Sequence, residues 1–225
     1  MNTYEFLKRY ETGERDFRNI DLSAARLRET DLVGINFSQA NLIGADLTGA
    51  DLTGANLTGA SLTGADLRVA TLRYANLQMA DLRGAILKYA KLCEANLQGA
   101  NLQVADLSQA NLREANLRKA TLLMANLQKA NLSWATLHEA NLKKANFQQA
   151  ILFMADLRRA NLSGANLSEA YLSGAYLLEA NLCESKLRET NLKGAILPDG
   201  TINPRHHSIF AHLCLKQFEH QFKVG

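Results

Sequence analysis

The chain has 225 residues, 47% of them apolar and 21% charged, and its formal charge of +3 lets neither sign dominate. Cys93, Cys183 and Cys214 stand far apart with no CxxC pair, which fits a reducing compartment better than a disulfide framework. The first residues lack the basic start and apolar run of a signal peptide, and no stretch approaches the roughly 18 apolar residues of a membrane span. Cytoplasm is therefore the expected location, with no membrane partner.

Residues 2 to 12 read as a short amphipathic helix. Asn2 stands at the N-cap position with Glu5 three residues on, Phe6, Leu7 and Tyr10 share a face, and Gly13 ends the segment. From residue 15 to residue 200 one pattern takes over. Alanine occupies every fifth position from Ala40 to Ala180, and two places after each alanine comes Leu, or Phe at Phe147. The apolar register extends from Phe17 to Leu197. The early sides are looser, with Ile20, Thr30 and Ile35 where alanine later becomes uniform.

A helix cannot use this period. Five residues advance about 500°, so the leucines would spiral round every side and leave no apolar stripe. A continuous strand fails as well, because its faces alternate with period two. Ala45 and Leu47, however, share a face. The chain keeps both inward only by bending once between Leu47 and Ala50, which gives short extended sides that wind into stacked coils. Each buried Leu contributes about 2 kcal/mol, so a charge at Leu102 or Leu127 is expected to be ruinous. Spacing alone does not fix the number of sides per coil.

The Ala-(Asp/Asn)-Leu-X-X register resembles the pentapeptide-repeat family. The resemblance implies an all-β fold, a right-handed quadrilateral β-helix of about nine coils. With four sides per coil, residues 20 apart would lie one above another, making Asn36, Asn56, Asn76, Asn96 and Asn116 a stacked amide ladder. An open end of such a coil exposes leucines and strand edges, so residues 1–14 are expected as a helical N-terminal cap. The array closes at Ala195-Ile-Leu-Pro-Asp-Gly, and residues 201–225 are expected as a C-terminal helical cap or arm. There Phe210, Leu213, Cys214, Phe218 and Phe222 fall on one side of a helix over 206–222. The N-terminal segment Leu-Lys-Arg-Tyr-Glu-Thr-Gly-Glu-Arg-Asp-Phe is similar to caps of cyanobacterial members, including the heterocyst-differentiation type.

No phosphate loop, nucleophile elbow or HExxH motif is present, so no enzyme activity, cofactor or small-molecule substrate is expected. His206, His207, His212 and His220 gather near Cys214 but match no standard ligand spacing, so no metal site is assigned. At the 20-residue step, Trp134, Ile151, Phe153, Met154 and Tyr171 form one contiguous outward patch, the candidate protein-binding site. Its alternative is mutual stacking between coils. Val104, Leu123 and Met124 project from another side. Arg118, Lys119, His138, Arg158 and Arg159 form a basic column interrupted by Glu139 and Glu179. Without a groove or interleaved aromatics it reads as a solvated face, and nucleic acid is not an expected partner. The expected function is a non-enzymatic scaffold, a monomer that binds another protein, with the N-terminal likeness implying a regulatory role. The alternative is a DNA-mimicking protein that protects topoisomerases, which the charge of +3 disfavours.

Overall fold

The structure, a computed structural model, describes residues 2–204. The expected C-terminal helix over 206–222, with its histidines and Cys214, lies outside the described residues.

One side, Asp46 to Ala50, shows how five residues turn a corner. The Thr48 amide donates to Asp46 Oδ1 at 3.1 Å, closing an Asx turn. The Ala50 amide donates to the Leu47 carbonyl at 3.0 Å across a four-residue turn. Gly49, the third residue of that turn, has φ of 68°, the mark of a type II turn. The bend therefore falls between Leu47 and Ala50.

Backbone hydrogen bonds then join one coil to the next. The Leu47 amide donates to the Asp66 carbonyl at 2.8 Å, the Gly49 amide to the Arg68 carbonyl at 2.9 Å, and the Asp66 amide to the Ala45 carbonyl at 2.9 Å. Parallel bridges repeat this register from Asp16 and Asn36 up to Tyr176 and Ile196, always between residues 20 apart. Four five-residue sides thus make one coil, the number that spacing alone left open.

The interior follows the sequence register. The Leu or Phe of every side from Phe17 to Leu182 is buried, as is every fifth-position alanine from Ala40 to Ala180. Near the C-terminal end the packing loosens: Leu187 and Leu197 are half-buried, although Leu192 is fully enclosed. Thr190, where an alanine would be, is buried with its hydroxyl donating to the Leu167 carbonyl at 2.9 Å, so its polar atom is satisfied. At the other end, α1 (Thr3–Glu11) begins at Asn2, whose side chain accepts from the Glu5 amide at 2.8 Å. Phe6 of α1 is fully buried, its ring 4.8 Å from that of Phe17 and 5.6 Å from that of Phe37.

First-position Asn and Asp serve the coil twice. Each oxygen accepts from the amide two residues on, and on some sides the Asn amide nitrogen also reaches the coil before it. Asn96 Nδ2 donates to Asn76 Oδ1 at 3.4 Å and Asn116 Nδ2 to Asn96 Oδ1 at 3.1 Å. A second ladder runs on another side, from Asn166 to Asn146, to Asn126 and then to Asp106, at 3.2, 3.3 and 3.1 Å.

Where the first position is Asp and the third Arg, the pair closes on itself. Arg68 donates twice through Nε and Nη2 to the Asp66 carboxylate, at 2.9 and 2.6 Å, and Arg83 holds Asp81 likewise. The arginine hydrogen bonds, helped by the backbone amide, hold both carboxyls below the usual aspartate range. Both guanidinium groups are half exposed, so each pair contributes modestly. Because the folded pKa is the lower one, this stabilisation is complete above the unfolded value of about 3.9 and is lost as pH falls through the folded value. Thermal midpoints are expected to drop on acidification below about pH 4, and an Asp66→Asn, Asp81→Asn variant should show a shallower drop. Asn keeps the Asx turn, so an unchanged acid slope in that variant would show that these carboxyls are not responsible.

The turn has a second requirement. Every fourth-position residue from Asn19 to Gly194 lies in the left-handed region, with φ between 53° and 71°. Glycine accepts this freely, whereas Val69 and Val104 are β-branched and oppose it. Val104, at φ 60°, is 56% exposed, so little packing offsets its strain. Relief of roughly 1–2 kcal/mol exceeds the roughly 0.5–1 kcal/mol that glycine costs through the unfolded chain. Val104→Gly is expected to raise the free energy of denaturant unfolding by up to ~1 kcal/mol, and a loss of stability would show that Val104 packs productively.

Candidate protein-binding face

Trp134 belongs to the side that includes residues 111–115, 131–135, 151–155, 171–175 and 191–195, stacked by the 20-residue register. Each side of this stack points its first, third and fourth residues outward, because the second and fifth fill the core. Ile151 and Tyr171 are first-position residues in adjacent coils and form a parallel bridge. Phe153 is third, and Trp134 and Met154 are fourth. All five are exposed, Tyr171 most at 53% and Trp134 next at 48%.

The packing among them is diagonal. The indole of Trp134 meets the Phe153 ring edge-on, with centroids 5.4 Å apart and planes at 90°. That contact follows from the ladder, since the Trp134 amide donates to the Phe153 carbonyl at 2.9 Å and brings the fourth position of one coil beside the third of the next. Met154, in the coil above, instead lies directly over the fourth position of the next coil, its Sδ lying where a Cβ on Gly174 would be. Below, the Arg113 guanidinium sits 5.7 Å from the Trp134 ring centroid.

Three features of this face were missed in the sequence. Arg113 could have been found, because it is the third-position residue of the coil below, as Phe153 is of the coil above, so the two flank Trp134 on the third-position column. Gly174 had a signal too: a glycine follows Met154 by 20 residues, and its missing side chain makes room for the thioether. The third is conformational. Trp134 and Met154 have φ of 58° and 55°, a region in which bulky residues are disfavoured. Large side chains are therefore kept where glycine would relax the backbone.

The other surface groups are placed as follows. Val104 and Met124 are exposed on a different side, where the Val104 amide donates to the Leu123 carbonyl at 3.0 Å. In the basic column the two glutamates act as partners. Lys119 lies 3.5 Å and His138 3.0 Å from the Glu139 carboxylate, and Arg159 reaches Glu179 at 2.8 Å. Desolvation works against the Glu139 carboxylate, but Lys119 and His138 together hold its pKa below the ordinary value. Arg158 is taken up by Asp156 at 2.7 Å. Much of the column's charge is thus neutralised locally. Among the described residues no group of His, Cys, Asp and Glu is placed to hold a metal ion, and no helix is long and apolar enough to cross a membrane.

Comparison with known proteins gives this face its context. The family model for pentapeptide repeats matches in 8 copies, over residues 20–59, 50–88, 85–122, 95–133, 125–164 and 165–199. No curated protein matches the chain. Among solved structures, HetL, a pentapeptide-repeat protein involved in heterocyst differentiation regulation in the cyanobacterium Nostoc sp. strain PCC 7120, is 35% identical. The match covers 90% of this chain and 100% of that one, with a TM-score of 0.67. QnrB1, a plasmid-mediated fluoroquinolone resistance protein, is 19% identical over 90% of this chain and 96% of its own, with a TM-score of 0.60, a likeness of fold alone. Both are right-handed β-helices. With repeats matched along most of its length and a 35%-identical relative spanning 90% of it, the chain belongs to the pentapeptide-repeat family.

Proposed function

We propose that the chain is a non-enzymatic scaffold that binds another protein through the Trp134 side of its β-helix. The observation that carries this reading is the patch itself: Trp134, Ile151, Phe153, Met154 and Tyr171 stand exposed together on a backbone that cannot rearrange beneath them. Aromatic and Met side chains on a rigid support lose little conformational entropy on binding, and such residues concentrate binding energy. Keeping Trp and Met at left-handed positions carries a backbone cost, which function rather than folding would justify. The involvement of HetL in heterocyst differentiation regulation supports a regulatory assignment, in which the scaffold binds and neutralises a regulator in the cytoplasm. The protein acts as a monomer of about nine coils, closed at its N-terminal end by α1.

A DNA mimic would need continuous unpaired acid. Here Asp16, Asp66, Asp81 and Asp156 each carry an arginine two residues on, within 2.6 to 2.7 Å. That pairing, with a net charge of +3, favours the protein-binding scaffold over the mimic.

The test is affinity capture from native lysate with the wild type beside a Trp134→Ser, Phe153→Ser variant. Both positions point outward, so circular dichroism and thermal midpoint are expected to stay close to wild type, within about 1.5 kcal/mol of stability for the lost ring contact. A protein retained by the wild type and lost by the folded variant is the expected result. Identical captures by both forms would reduce the patch to stacking between coils.

A further inference from the structure

One corner of the coil carries cations without the usual acid beside them. Arg18, Arg68, Arg83 and Arg158 each close on an aspartate two residues earlier, at 2.6 to 2.7 Å. Arg73 and Lys88 hold the same third position, but Thr71 and Ile86 stand where that aspartate would be, and the first position after Lys88 is Lys91. These residues are neighbours. The sides 86–90 and 91–95 meet at a corner, and 71–75 lies directly below 91–95 through the bridge between Thr71 and Lys91. Among the described residues no carboxylate forms an ion pair with Arg73, Lys88 or Lys91.

Two exposed tyrosines accompany them, Tyr74 at φ 59° and Tyr89 at φ 62°, where glycine would relax the backbone as it would at Trp134. Each ring holds its neighbouring cation: the Arg73 guanidinium lies 5.3 Å from the Tyr74 centroid and the Lys88 ammonium 5.2 Å from that of Tyr89. Tyr89 is fixed from the coil above, where Gln109 Nε2 donates to its hydroxyl oxygen at 3.1 Å. Tyr74 Oη accepts from Arg73 Nη2 at 3.2 Å. Arginine can only donate, so the Tyr74 hydroxyl hydrogen is left for another acceptor. The cationic zone is short. Asp51 lies under Thr71 and Asp106 over Ile86, Glu94 stands a coil above Tyr74, and Arg113 beyond it is already paired with Glu114 at 3.0 Å. Acid thus returns at both ends of about two coils, or about 10 Å of the rod. A long polyanion laid along the rod meets those carboxylates, whereas a short anionic run wrapped round the corner does not.

We propose that this corner binds a short acidic segment of a protein, whose Asp or Glu carboxylates take Arg73, Lys88 and Lys91 as counter-ions and the Tyr74 hydroxyl as a donor. Carboxylate is the group these donors fit, since the Arg73 fork and an adjacent O–H can engage both of its oxygens. Charge complementarity selects the partner's chemistry, and cations already leaning on rigid rings lose little freedom when they are engaged. The site does not rest on the Trp134 patch. It lies on the same side of the rod and extends round the corner, with Tyr74 three coils below Trp134, about 15 Å away.

The probe is fluorescein-labelled hexaglutamate, titrated with the full chain and read by fluorescence anisotropy. Saturable binding that weakens as salt is added is expected, with a loss of roughly tenfold or more in an Arg73→Gln, Lys88→Gln, Lys91→Gln variant. An Arg118→Gln, Lys143→Gln, Lys144→Gln variant removes the same charge from other sides and is expected to bind within about twofold of wild type. Tyr74→Phe keeps the ring and its cation, and its expected loss is roughly three- to tenfold. All these side chains point outward, and circular dichroism checks each fold. No saturable binding by the wild type overturns the proposal. An equal loss in the two charge variants does so too, because binding would then follow net charge alone. Labelled hexathymidylate that binds more tightly than hexaglutamate, through the same three cations, would assign the corner to nucleic acid and also overturn it. The Trp134→Ser, Phe153→Ser variant is expected to bind hexaglutamate as the wild type does, so failure at one site is read separately from failure at the other.

Discussion

Keeping both Leu and Ala on the inside of a five-residue side obliges the chain to turn the same corner again and again. Each corner places its fourth residue in a conformation that L-amino acids resist. What compensates is the ladder that every corner makes available: the left-handed fourth position turns its amide towards the coil above, as Gly49 does to Arg68 and Trp134 to Phe153. Asx turns at the first position set the entry to the corner, and the bond from fifth-position amide to second-position carbonyl closes it. Core, ladder and turn are therefore one arrangement repeated. No residue on the outside is needed to hold it, apart from the first-position Asn and Asp.

That division leaves the outer third and fourth positions free to vary. From Gly44 to Gly64 they are Thr and Gly, with Thr48 and Thr53 hydroxyls folded back on their own aspartates. From Arg68 onward they carry larger groups, and two kinds of surface emerge. On one side Lys119, His138, Arg158 and Arg159 are matched by nearby carboxylates. On the neighbouring side the Trp134 group keeps its apolar area exposed, with local contacts that include the Phe153 edge, the Met154 thioether over Gly174 and the Arg113 guanidinium by the indole. The contrast between a polar column paired within itself and an exposed apolar one is what supports the proposal that the latter binds a partner.

Most of the fold could be read before any coordinates. A period of five is incompatible with helix and with continuous strand, and the Leu and Ala positions so identified are the ones found buried. Two things were beyond that reading. The number of sides per coil depends on the turn angle at each corner, which periodicity does not encode; resemblance supplied it, and the bridge between Asp16 and Asn36 shows it directly. The left-handed backbone was hidden because most fourth positions are not glycine: Glu, Lys, Gln and Met stand there, so composition gave no warning of φ above zero. In the patch, outward direction was legible for Trp134 and Met154, but the partner of each ring was not. A vertical stack would pair Trp134 with Met154, whereas the ladder offsets neighbours by one residue and sets Trp134 against Phe153. Direct stacking at the 20-residue step, by contrast, turns Glu139 and Glu179 from interruptions of a basic column into counter-ions of Lys119 and Arg159.

The register of 20 also makes the molecule indexable. Loss or gain of one pentapeptide leaves every turn, every core position and every kind of ladder bond available, yet rotates all that follows by a quarter of the circumference. Removal of 116–120, for instance, would carry Trp134, Phe153, Met154 and Tyr171 together to the adjoining side, intact among themselves but parted from Arg113 and the carboxylates beneath. Loss of four pentapeptides would restore the original bearing and shorten the rod by one storey. Insertions and deletions in units of five are thus steering events rather than lesions. A lineage built this way can re-aim a recognition surface in steps of a right angle without passing through an unfolded ancestor.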